Sequence, residues 1–171
     1  MSRLILAFVD IAFHRRGPEH LPASSFLFTA VLVVYFVVSL LTTHYLNIVA
    51  HPLLMTELQT VLGLAFIWSV LRAFERQRRF RQTACAVLGT DTLLNLLSLP
   101  LAFWHRSLGA PEAQTTIPEI LFILVAIWSV DISAFIMARA LERPYVLTVA
   151  IMVGYLLLSI SVRITLFPPT T

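Results

Sequence analysis

The chain has 171 residues, 58% of them hydrophobic and only 12% charged, with formal net charge +3 and mean hydropathy +0.87. A soluble domain of this length carries about twice that charged fraction, so the surrounding medium must be lipid rather than water. All twelve basic residues are arginines lying between apolar runs, in no groove or nucleic-acid motif, which argues against a nucleic-acid partner.

Residues 1–16, MSRLILAFVDIAFHRR, come first. Leu4, Ile5, Phe8, Ile11, Ala12 and Phe13 fall on one helical stripe, with Arg3, Asp10 and His14 elsewhere. The stretch is too short and too charged to span a bilayer, and it lacks the cleavage site of a secretory signal. It predicts an amphipathic helix lying on the membrane face. Arg15–Arg16 superficially match a twin-arginine signal, but the apolar run that follows is too long for a removable one. GPEHLP, Gly17 to Pro22, predicts a rigid turn into the bilayer.

Five segments reach the roughly 20 apolar residues that cross a hydrocarbon core. They lie at about 26–45, 53–71, 83–104, 118–138 and 145–167, and define an all-α, polytopic membrane protein of a single domain, 1–171. The first carries no formal charge, and Pro118 followed by Glu119 suits a helix start. Gly89, Pro100 and Gly154 punctuate the spans, and Cys85 reads as a small apolar side chain inside the third.

Ten arginines fall on one side of this arrangement: Arg3, Arg15 and Arg16, then Arg72, Arg76, Arg78, Arg79 and Arg81, then Arg139 and Arg143. Arg106 and Arg163 fall on the other. The bias predicts an amino terminus on the cytoplasmic side and the FPPTT tail on the outside.

RAFER, Arg72 to Arg76, nearly recurs as RALER, Arg139 to Arg143, and an identical IWSV precedes each at Ile67 and Ile127. The charge types suit helix ends emerging at an anionic surface, where each arginine gains about 1 kcal/mol. One residue separates IWSV from RAFER and eight separate it from RALER, a difference of about two helical turns. A duplicated hairpin and coincidence within a restricted alphabet both fit.

Ionisable groups within spans are the default functional candidates. Asp91 lies eight residues into the third span, and Asp131 eight residues before Arg139. At 1.5 Å per residue both are about 12 Å deep, a depth at which they can share a proton or a ligand. Thr90, Thr92 and Asn95 accompany Asp91; Ser129 and Ser133 accompany Asp131. A proton or cation relay is one reading; the alternative is interhelical hydrogen bonding, with one or both acids protonated by desolvation or facing an arginine. None of the five histidines lies mid-span, so no haem pair or other cofactor is implied. His44, His51 and Glu57 match no metal-ligand spacing and read as interfacial. No nucleophile elbow, phosphate loop or acid–base pair points to an enzyme.

Three stretches carry a family likeness: DIAFHRRGPEHLPAS (Asp10–Ser24), RRFRQTACAVLGTDTLLNLLSLPL (Arg78–Leu101) and IWSVDISAFIMARALERPYVLTVAIMVGYLLLS (Ile127–Ser159). Their texture resembles small bacterial membrane proteins related to the Yip (Ypt-interacting protein) family. That resemblance implies five spans, a cytoplasmic amino terminus and action by contact rather than catalysis. Together with the arginine bias, it makes a bacterial inner membrane with a periplasmic tail the expected location. The chain departs from eukaryotic members in lacking a long hydrophilic domain, so a role with small GTPases does not carry over.

The sequence therefore predicts a non-enzymatic membrane scaffold or accessory subunit. Arg72, Arg76, Arg78, Arg79 and Arg81 would grip anionic headgroups or a partner protein. Gly154, Ser159 and Ser161 would offer a face for other membrane proteins or a second copy. The alternative is a small transporter or channel component that uses Asp91 and Asp131, with Asn95 nearby.

Overall fold

The computed structural model describes residues 2–46, 51–108 and 117–166, and every regular element among them is helical. In chain order these are α1 (Ser2–Ala12), a 3₁₀ turn at Pro18–His20, α2 (Ser25–Leu46), α3 (Pro52–Ala73), a second turn at Gln77–Arg79, α4 (Phe80–Leu108), α5 (Ile117–Leu141) and α6 (Tyr145–Leu166). Helices α2 to α6 are each long and apolar enough to cross a membrane. The third of these five extends beyond the predicted 83–104 at both ends. Its terminal turns are too polar to belong to the hydrocarbon, yet they continue the same hydrogen-bond ladder.

The distribution of polarity is the reverse of a soluble bundle. Phe26 is 84% exposed and Val146 78%, while Thr42, Thr60, Thr90, Ser98 and Thr148 are buried. Most buried hydroxyls donate to the carbonyl one turn earlier: Thr60 to Thr56 at 2.6 Å, Thr90 to Ala86 at 2.9 Å, Ser98 to Leu94 at 2.8 Å. This local bonding satisfies a hydroxyl without any partner helix. It frees the bundle to close on small side chains.

Helix α4 is the centre of that closure, packing against α1, α2, α3 and α5. Ala84, Cys85, Ala86 and Thr90 are all buried along it. Small residues let neighbouring backbones approach, which matters where lipid offers no hydrophobic drive between helices. At Gly89 the ring of Phe8 fills the space a Cβ would need. Helix α1 therefore docks on protein through Phe8, Ile11 and Ala12, all buried, and leaves Leu4, Ile5 and Phe13 exposed. The predicted apolar stripe is split between the bundle and the outside, and the helix stops at Ala12 rather than continuing to residue 16.

Three helices stop at the arginine-rich end in the same way. The segments are Ala12-Phe13-His14-Arg15, Ala73-Phe74-Glu75-Arg76 and Ala140-Leu141-Glu142-Arg143. In each, the third residue takes a left-handed conformation: His14 at φ 58°, Glu75 at 59°, Glu142 at 55°. In each, the arginine N–H donates to the carbonyl five residues back, Arg15 to Asp10 at 2.8 Å, Arg76 to Leu71 at 2.7 Å, Arg143 to Ala138 at 3.2 Å. Such a cap usually uses glycine. RAFER and RALER thus share a helix stop, with α1 supplying a third example. The identical IWSV segments differ in surroundings: Arg72 covers the Trp68 ring at 5.1 Å, whereas Trp128 meets Phe13 at 5.5 Å. Nothing in the structure explains their identity.

Candidate binding chamber at Asp91

Two polar faces oppose one another inside the bundle. Tyr35, Ser39 and Thr42 on α2 follow the spacing i, i+4, i+7, and so do Asp91, Asn95 and Ser98 on α4. That spacing keeps each trio on one side of its helix. With Val125, Ala126 and Ser129 of α5 they line a cavity of about 340 Å³. A second cavity, about 180 Å³, lies closer to the arginine-rich end and includes Gln59, Thr60, Phe66, Val87, Ser133, Met152 and Tyr155. Tyr35, Asp91, Ala126 and Ser129 border both. Asp91 stands where the two meet.

The Ser129 hydroxyl donates to Asp91 Oδ1 at 3.1 Å and is its one hydrogen-bond donor among the described residues. On the far wall, Ser159 donates to Gln59 Oε1 at 2.9 Å, and Gln59 Nε2 donates back to the Ser159 carbonyl at 3.4 Å. This pair fastens α3 to α6 and fixes one side of the inner cavity. The Tyr155 hydroxyl lies 3.0 Å from where a Cβ on Gly63 would stand, and its ring lies 4.7 Å from Phe66. Absence of a side chain at Gly63 is therefore what lets Tyr155 reach inward.

Asp131 is elsewhere. Its carboxylate accepts from the Tyr145 hydroxyl and pairs with His14 Nε2 at 3.3 Å, joining α1, α5 and α6. It lines neither chamber cavity. Two residues of helix turn a side chain about 200°, so Ser129 and Asp131 face opposite ways. The expected shared proton between the two aspartates is corrected accordingly: Asp91 meets Ser129, whereas Asp131 meets Tyr145 and His14. Ser129 and Ser133 belong with Asp91, as does Asn95.

The arginine cluster is likewise redistributed. Arg76 pairs with Glu142 at 2.6 Å, and Arg79 bonds the other oxygen of the same carboxylate. Arg79 also donates to the carbonyls of Arg139 and Ala140, each at 3.2 Å. The hydrogen bond from Arg79, with the Arg76 and Arg79 charges beside it, holds the Glu142 carboxyl below the usual carboxylate range. Arg81 donates to Ser25 at 2.9 Å, and Arg72 lies over Trp68. These contacts tie helix ends together, and only Arg78 of the five is exposed without a partner among the described residues. In the third predicted contact face, Ser159 is occupied by Gln59, whereas Gly154 is open.

Sequence reasoning missed Tyr35, Gln59 and Tyr155. A signal for the first was present in the matched i, i+4, i+7 polar spacing of α2 and α4. Gln59 and Tyr155 carry no comparable pattern.

Fold and site together define a class: an all-helical membrane protein with five helices of crossing length, in which two cavities meet at one carboxylate, Asp91. Comparison with protein-family models, curated proteins and solved structures finds no match to this chain.

Proposed function

We propose that this chain is a non-enzymatic membrane protein that binds a small cation, as a transporter or channel component, with Asp91 as the binding carboxylate. The observation that carries this reading is the meeting of two cavities at Asp91 inside a bundle of membrane-crossing helices. A carboxylate in such a place is costly unless a positive charge or a donor offsets it. One donor, Ser129, supplies part of that compensation. A cation supplies the rest. The arginine asymmetry supports an orientation with the arginine-rich end in the cytoplasm, and a bacterial inner membrane is proposed on the Yip-like resemblance alone. The test is cation flux in liposomes: Asp91→Asn abolishes it and Asp131→Asn does not. Flux unchanged by Asp91→Asn removes the reading.

A second reading is the scaffold or accessory subunit, in keeping with the Yip-like texture. Two features favour it: Arg78 is exposed without a partner, and nothing lies within 4 Å of the position a Gly154 side chain would take. Anionic lipid or another membrane protein would be the partner. Arg78→Gln is the clean probe, because Arg76 and Arg79 also hold Glu142. Co-purification unaltered by Arg78→Gln counts against this second reading.

A further inference from the structure

From the composition of the inner cavity we infer that its ligand is a small organic ammonium ion, held between Asp91 and the rings of Tyr35, Phe66 and Tyr155. This rests on the reading of Asp91 as a cation-binding carboxylate and narrows the class of cation.

Charge comes first. One carboxylate borders the cavity and no arginine or histidine does. An anionic ligand would meet an uncompensated negative charge in a low-dielectric site. A monovalent cation balances it. A divalent metal does not, and among the described residues no group of three histidine, cysteine, aspartate or glutamate side chains could hold one.

The walls then distinguish a bare ion from an organic cation. A hard monovalent ion asks for several oxygen ligands close around it. Here Gln59, Thr60, Ser129 and Ser133 add oxygens beside Asp91, but most of the wall is apolar, aliphatic side chains together with the three aromatic residues, which suits a cation that carries carbon. Aromatic faces attract ammonium groups through the ring quadrupole, and they also receive the carbon substituents of an organic cation. Phe66 and Tyr155 stand 4.7 Å apart by ring centroid as adjoining walls. The volume, about 180 Å³, suits a ligand smaller than drug-sized ones, whose pockets run to about 300 Å³ or more.

Access follows from the second cavity. Ser39, Thr42, Asn95 and Ser98 lead from Asp91 toward the end away from the arginines. Toward the arginine-rich end the inner cavity is closed by buried Ile67, Val87 and Met152. Two residues from Asp91, about half a turn of α4, Phe8 covers Gly89. The ligand therefore reaches Asp91 from the arginine-poor side.

The test uses the full chain in lipid nanodiscs, titrated calorimetrically with tetramethylammonium chloride and, separately, with sodium chloride at matched ionic strength. Saturable tetramethylammonium binding is expected, lost in Asp91→Asn and weakened at least about fivefold in Tyr155→Leu. Thermal melting checks that each variant folds, and Tyr155→Leu carries the test if Asp91→Asn does not. Asp91-dependent sodium binding without tetramethylammonium binding would overturn the ammonium inference and leave the cation reading standing. Binding of neither ion, or ammonium binding indifferent to Asp91→Asn, would overturn both.

Discussion

Ser129, and not Asp131, is the α5 partner of Asp91: its hydroxyl donates to the carboxylate at 3.1 Å, while Asp131 turns away to Tyr145 and His14. The two α5 residues are consequently separable by mutation. Ser129→Ala removes a donor from Asp91 and alters cation affinity. Asp131→Asn leaves affinity unchanged and loosens α1, seen as faster amide exchange over residues 2–12. Slower cation binding in Asp131→Asn with an undisturbed α1 would contradict this division.

Phe8 and Gly89 are a second separable pair. A Leu side chain at Gly89 collides with the Phe8 ring, and overpacking of this kind costs about 1–3 kcal/mol. Removing the ring should relieve it. Gly89→Leu is expected to lower the melting temperature in the wild-type background, and to lower it far less in Phe8→Ala. Equal losses in both backgrounds would show that α1 does not seat there.

The left-handed caps make opposite predictions at two glutamates. Among the described residues Glu75 makes no side-chain hydrogen bond or ion pair, so Glu75→Gly relieves the backbone cost of about 1 kcal/mol and raises stability. Glu142→Gly relieves the same cost but forfeits the contacts to Arg76 and Arg79. Melting in detergent compares them directly, with Glu75→Gly expected to melt higher than Glu142→Gly.

Glu142 also confers a pH dependence. Its folded-state pKa lies below its ordinary value, through the Arg79 hydrogen bond and the neighbouring guanidinium charges. The unfolded state therefore takes up protons first, so the contribution is complete above the usual carboxylate range, about 4.3, and declines as pH falls through the lower folded value. The melting difference between wild type and Glu142→Gln should be constant near neutrality and shrink below about pH 4. A difference that grew on acidification would reverse the assignment.

The five crossing helices were legible because a bilayer imposes a length, and runs such as FLFTAVLVVYFVVSLLTTHY meet it without ambiguity. Position along each helix follows from sequence distance at the helical rise per residue. Direction does not. Ser129 and Asp131 share a depth within two residues, and which of them faced Asp91 depended on how α4 and α5 were rotated. The arginine loop was misjudged for a similar reason: a charged loop beside a membrane reads as available, yet Glu142 lies across a helix turn where only folding brings it to Arg76 and Arg79. Hydroxyls within spans bond their own carbonyls wherever they sit, so composition alone did not separate Ser39 and Ser98, which line a cavity, from Ser161, which is exposed.

The most direct measurement is the reactivity of a cysteine placed at Ser98, with Cys85→Ala to remove the native thiol, toward a membrane-impermeant maleimide in right-side-out and inverted vesicles. A water-filled approach to Asp91 predicts labelling from the arginine-poor side alone, slowed by tetramethylammonium. Absence of labelling from both sides, in a variant that melts as the parent does, would mean that no aqueous path leads to the carboxylate.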